Sequence, residues 1–130
     1  MKYIFGVPFY KYNIKTPQSI LDDIQHNYEI DSNRNSWDNK SYLHSKTHHS
    51  NRDRNNPKFK EVNYKPIMSE YKKVFDTFMK ELDLNCQYKW TIANYTAMKS
   101  QQYMRAHDHI GDSDYTCIHY SKFNPKKHST

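Results

Sequence analysis

Between residues 66 and 82, apolar side chains recur at Ile67, Tyr71, Val74, Phe75, Phe78 and Leu82, a spacing that puts all six on one face of a helix. Lys72, Lys73, Asp76, Lys80 and Glu81 fall mostly on the rest of the wheel. A helix with one apolar face must bury it against another element, and no other feature constrains the fold as strongly. Two downstream stretches have the period to provide that cover. In 87–99, Tyr88, Trp90 and Ile92 alternate with Lys89, Thr91 and Ala93. In 114–123, Tyr115, Cys117 and His119 alternate with Thr116, Ile118 and Tyr120. Alternation of this kind is that of a strand with one buried side, so the expectation is an α+β fold in which N-terminal helices pack on an antiparallel sheet.

Upstream, residues 2–14 read as a strand interrupted at Pro8. Thr16 and Pro17 then read as an N-cap followed by proline at the first helical position, and Ile20, Leu21 and Ile24 supply that helix with its apolar stripe. Residues 31–62 are rich in Asn, Ser, His and charge, with Trp37, Tyr42, Leu43 and Phe59 isolated among them. They read as a long, partly ordered loop with one or two short strands. The 130 residues make one domain on length alone, with no internal repeat. It divides into a strand, helix and loop region over 1–85 and a strand region over 86–130.

Whether such a domain has a core depends on its rings. Leu, Ile, Val and Phe together number 22, about 17 % of the chain, which is under the roughly 20 % below which disorder becomes the expectation. Twelve Tyr and two Trp compensate, since each aromatic ring buries roughly 150–250 Å². A core of tyrosines is therefore expected even at a mean hydropathy of −1.15.

The net charge of +6 and pI near 9.2 allow weak contact with nucleic acid. The excess is diffuse, densest over 50–56 and 122–128, and reads as a solvated basic surface. The two cysteines, Cys86 and Cys117, form no C-x-x-C pair and read as reduced thiols, with Cys117 a small buried apolar residue. Pro8 breaks the N-terminal apolar run too early for a secretory segment or a membrane span, so the expected location is the cytoplasm. No G-x-S-x-G elbow is present, and the isolated Gly6 and Gly111 cannot form a phosphate-cradling loop.

The chemistry concentrates in the sequence Tyr103-Met104-Arg105-Ala106-His107-Asp108-His109, just before the second alternating stretch. On extended backbone, residues i and i+2 share a side, so His107 and His109 can converge on one ion while Asp108 faces away. If the backbone turns there, Asp108 becomes an alternative ligand. Imidazole suits iron, zinc, copper or nickel, and two histidines with a carboxylate and open positions are the donor set of non-haem iron(II) oxygenases. His44, His48 and His49 could also ligate by spacing, but nothing around them supports it, and they read as loop imidazoles. Helices early, antiparallel strands late and ligands at a strand mouth follow the order of a jelly roll.

The run from Tyr95 through Tyr103–His109 to Tyr115-Thr116-Cys117-Ile118-His119-Tyr120 resembles the 2-oxoglutarate and iron(II)-dependent oxygenases, in particular the prolyl-4-hydroxylase-like branch and small oxygenases of marine phages. The resemblance covers about residues 88–124. It implies a double-stranded β-helix (jelly-roll) sheet, with 86–130 as its first strands. It further implies a dioxygenase that hydroxylates a small molecule or a protein side chain, with Fe(II) as cofactor, 2-oxoglutarate as co-substrate, and the host-cell cytoplasm as location if the source is viral. His107 matches the first iron ligand. His109 stands where the family usually has a carboxylate, which makes the ligand set neutral. Tyr120 and Tyr95 match tyrosines that line the co-substrate pocket, although both also read as ordinary core rings, and Arg105 could position an anionic group. The family's distal histidine and the cation for the co-substrate's far carboxylate lie well beyond Tyr120, and this chain ends ten residues after it. The jelly roll is therefore expected to be incomplete. Little turnover, an exposed sheet edge and self-association are expected with it. The alternative is a catalytically silent basic module that binds a protein or nucleic-acid partner.

Overall fold

The computed structural model describes residues 2–4, 6–32, 47–50, 55–100, 102 and 113–124. Two helices and two short antiparallel strand pairs make up its regular structure, an α+β chain. Strand β1 (Lys2–Ile4) pairs with β2 (Val7–Phe9), with Tyr3 opposite Pro8. The expected single strand over 2–14 thus folds back on itself. Gly6 lies in the turn at φ +80°, a conformation a residue with a Cβ rarely adopts.

Helix α1 (Gln18–Ile30) begins one residue later than Thr16 and Pro17 foretold. Pro17 takes the N-cap position, where its carbonyl accepts from the Ile20 and Leu21 amides. The Thr16 hydroxyl does not cap the helix because it donates to the Ser121 carbonyl, 105 residues away. Ile20, Asn27 and Tyr28 are the buried residues of α1. Strand β3 (His48–His49) is a short strand in the long polar stretch. It pairs with β4 (Thr96–Ala97), with His48 opposite Ala97.

Helix α2 (Lys65–Glu81) follows the predicted pattern, with proline in its first turn and Ile67 and Val74 buried. It ends in a Schellman arrangement. The Leu84 amide donates to Met79 and the Asp83 amide to Lys80, with Asp83 at φ 55°, the left-handed position usually given to glycine. Ile20, Val62 and Ile67 form the apolar core, with Ile14, Ile24, Tyr64, Tyr71 and Tyr95 packed against it.

The two alternating stretches behave differently from each other. Over 87–93 the exposure alternates as a one-sided strand should, and Trp90 and Tyr88 lie against Phe75 of α2, Trp90 stacked at 5.2 Å. Only Thr96–Ala97 of 87–99 enters a ladder, however, and the described residues 113–124 enter none. The alternation reports which side of an extended chain meets α2, and among the described residues the rings on that side hold it with no strand paired to 87–93. Cys117, expected to be buried, is exposed. Among the described residues, no helix is long and apolar enough to cross a membrane.

Candidate functional site

Where α1 ends, a polar cluster is closed off from solvent. Asn27, Asp31, Thr47 and His48 are all at most 2 % exposed, and Asp31 and His48 are fully buried. Buried polar groups require partners, and here the partners define a direction. The Asn27 side chain pairs with the backbone of Lys60, accepting its amide at 2.8 Å and donating to its carbonyl at 2.8 Å. Its second amide hydrogen goes to the Tyr95 Oη at 2.8 Å. The Asp31 carboxylate accepts from His48 Nδ1 at 2.6 Å, so in the neutral form of the ring the bare nitrogen is Nε2. The Tyr95 hydroxyl lies 3.1 Å from that nitrogen and donates to it in that form. Burial pushes the Tyr95 phenol up, which keeps it protonated and able to donate, although the Asn27 hydrogen bond acts the other way.

Rings enclose the imidazole. Tyr28 and Phe59 meet His48 edge-on at 6.5 and 5.8 Å, and Tyr95 is tilted against it at 5.4 Å. The Ser50 hydroxyl accepts the Tyr95 amide, and the Tyr95 carbonyl accepts the Ser50 amide. Further along the chain, Tyr28 donates to Gln102 Oε1, which also accepts the Lys99 amide, and the Lys99 ammonium lies 4.6 Å above the Tyr28 ring. Tyr95, Lys99 and Gln102 are thus each fastened to α1.

A second junction fastens the segment 113–124. Thr16 donates its hydroxyl hydrogen to Ser121, so its oxygen can only accept from His119 Nε2, at 3.3 Å. That leaves Nδ1 as the acceptor for the Tyr71 hydroxyl at 2.8 Å. The Tyr71 phenol is raised by burial and stays a donor. Burial lowers the His119 pKa, against a smaller opposing effect of the Ile14 carbonyl.

The His119 junction gives stability a pH dependence of definite sign. The folded imidazole is harder to protonate than the unfolded one near its ordinary value of about 6.5, so the unfolded chain binds more protons below that value. Stability is complete above the ordinary value and falls as pH drops from there towards the depressed folded value. Thermal unfolding of the wild type should show a lower Tm at pH 5.5 than at pH 7.5, and His119→Gln should show a smaller difference. An equal difference in the two proteins would remove His119 as a cause.

Of the residues expected to carry chemistry, His107, His109 and Arg105 lie outside the described residues, as does Asp108. Tyr95 lies on the helix-packed side, its hydroxyl committed to Asn27 and His48. Tyr120 is 57 % exposed, its ring tilted against Phe123, while its neighbour His119 turns to α2. Among the described residues, no three His, Cys, Asp or Glu side chains converge in a way that could hold a metal. Both ring nitrogens of His48 and of His119 are engaged, so neither imidazole is free to ligate in this geometry. The chain matches no family model, no curated protein and no solved structure.

Sequence reasoning passed over Asp31 and read His48 as a loop imidazole. Asp31 follows a helix as many solvated aspartates do, and His48 sits in a run of polar residues. No periodicity marks a pair 17 residues apart. The one available hint was the low supply of aliphatic residues, which leaves room in the interior for a satisfied polar cluster.

Proposed function

We propose that this chain is a 2-oxoglutarate and iron(II)-dependent dioxygenase-like domain, a hydroxylase of unknown substrate built on part of a jelly roll. The observation that carries it is the His107-x-His109 pair followed by the aromatic Tyr115–Tyr120 stretch. Two imidazoles are a donor set that suits iron(II), and they would hold the ion. When bound, iron with 2-oxoglutarate and O₂ as oxidant would supply oxidative decarboxylation coupled to hydroxylation. The chain's own part is to bind and orient. Tyr120 is the better placed of the two candidate tyrosines to donate to a carboxylate, because the residue is 57 % exposed. The Tyr95 hydroxyl already donates to His48, and a carboxylate cannot donate to its remaining lone pair.

The test is binding of 2-oxoglutarate by calorimetry with and without iron(II). Binding should require the metal and weaken about fivefold in Tyr120→Phe, the loss of one hydrogen bond. Binding indifferent to iron, or absent when iron is present, would overturn the proposal.

A second reading, the catalytically silent binding module, is favoured by one observation. Tyr115, Ile118, Tyr120 and Phe123 are 49, 70, 57 and 40 % exposed along a single segment, and exposed apolar runs mark interaction surfaces. Salt-sensitive DNA binding without metal would point to the nucleic-acid form of that module.

A further inference from the structure

The two junctions use the same chemistry on either side of one stretch of sequence. Tyr95 O–H donates to His48 Nε2 before it, and Tyr71 O–H donates to His119 Nδ1 after it. We propose that these two Tyr–His bonds are acid-sensitive clasps, which add to the hold on 95–102 and on 113–121, each only while its own imidazole is neutral. The clasps do not rest on the oxygenase reading.

Each clasp opens for a definite reason. A proton added to His48 goes to Nε2, because Nδ1 already carries the hydrogen given to Asp31. The new N–H then points at a phenol whose own hydrogen points back. The Tyr95 hydrogen must turn away, and its oxygen must accept from both Asn27 and His48. A proton added to His119 goes to Nδ1 and opposes the Tyr71 hydrogen in the same way. Displaced hydroxyl hydrogens in partly buried surroundings cost free energy unless a new acceptor is found.

The surroundings differ in charge. Facing His48 are Asp31, Asn27 and Tyr28 from α1, Phe59 from the loop ahead of α2, and Tyr95. Further out lie the Lys60–Asp23 ion pair at 3.7 Å and Lys99 over Tyr28. The Asp31 carboxylate favours a proton on His48 and so favours opening of that clasp. Facing His119 are Tyr71 from α2, Thr16 and the Ile14 carbonyl from the segment before α1, and Ser121 and Cys117 from its own segment. None of these is a carboxylate. Burial there lowers the imidazole pKa, so the ring is neutral and the clasp closed at neutral pH.

The bonding accounts require opposite tautomers in the two rings, which gives a test in the unmodified full chain without added metal. In ¹⁵N-resolved spectra at pH 7.5, His48 should carry its hydrogen on Nδ1 and His119 on Nε2. The same tautomer in both, or a doubly protonated His48, would overturn the proposal.

Amide exchange gives the second readout. Corrected for intrinsic rates, exchange over 95–102 and 113–121 should rise about fivefold or more when pH falls from 7.5 to 5.5. Tyr95→Phe should make 95–102 fast at both pH values and leave the step in 113–121, and Tyr71→Phe should do the converse. A wild type without the step, or a phenylalanine variant that keeps it in its own segment, would overturn the clasps. Should either variant fail to fold, the wild-type tautomers still decide the matter. Neither readout uses iron or 2-oxoglutarate, so failure of iron-dependent 2-oxoglutarate binding would remove the oxygenase reading alone.

Discussion

Asp31→Ala is expected to destabilise the fold by about 1–3 kcal/mol, the range found when a buried donor is left without its acceptor. Asp31 and His48 have no exposed side-chain surface, and 2.6 Å separates their bonded atoms. Without the carboxylate, His48 Nδ1 keeps a hydrogen that water cannot reach, and its bond to Tyr95 loses the anchor that fixes the ring's tautomer. A domain of this size has roughly 5–15 kcal/mol of stability in total, and among the described residues the buried aliphatic side chains are Ile20, Val62, Ile67 and Val74. Asp31→Asn keeps an acceptor oxygen at the same place and should cost less. Urea unfolding followed by far-ultraviolet circular dichroism measures both. The exposed pairs Lys72–Asp76 and Lys73–Glu70 are a useful contrast. Solvent screens them, and Lys72→Ala should leave the urea midpoint where it is. An Asp31→Ala midpoint equal to that of the wild type would mean that the buried cluster contributes nothing to stability.

The parts of the fold legible in sequence were those with a local period. Helix α2 was readable because one amphipathic face recurs over more than four turns and proline marks its start. Helix α1 was readable for the same reason, but its first residue was not, since the Thr16 hydroxyl is drawn to Ser121 by a contact that local capping rules cannot anticipate. The alternation at 87–93 correctly named the side that meets α2. Pairing is a property of two segments rather than one, so the same alternation could not tell that the ladder begins only at Thr96 or that its partner is His48–His49. Gly6 stood in plain view, but a lone glycine in an apolar run reads equally as a weak point in one strand or as the turn between two.

For the candidate site the division is sharper. The motif around His107 and His109 is a matter of residue types at fixed spacing and can be read directly. The hydrogen-bond state of Tyr95 cannot, because it depends on Asn27, 68 residues earlier, and on His48, 47 residues earlier. A tyrosine that matches a pocket position in sequence can therefore still have its hydroxyl spent inside the protein. The aromatic composition foretold that rings would substitute for aliphatic packing, as Phe75 with Trp90 and Phe78 with Tyr115 do at 5.2 and 5.0 Å. It did not foretell that four polar side chains would share the interior with them.

The second large effect concerns the metal. Two imidazoles two residues apart bind a divalent ion together far better than either does alone, because the second ligand is already in place when the first has bound. Cobalt(II) replaces iron(II) in nitrogen and oxygen sites and reports its coordination through visible absorption. Titrating it into the full chain, with His107→Ala/His109→Ala as the paired variant, measures the claim on which the oxygenase reading stands. The expected result is a saturable band at one equivalent in the wild type and no band in the double variant, whose circular dichroism should be unchanged. A double variant that still takes up one equivalent with the wild-type affinity, or a wild type that takes up none, would contradict it.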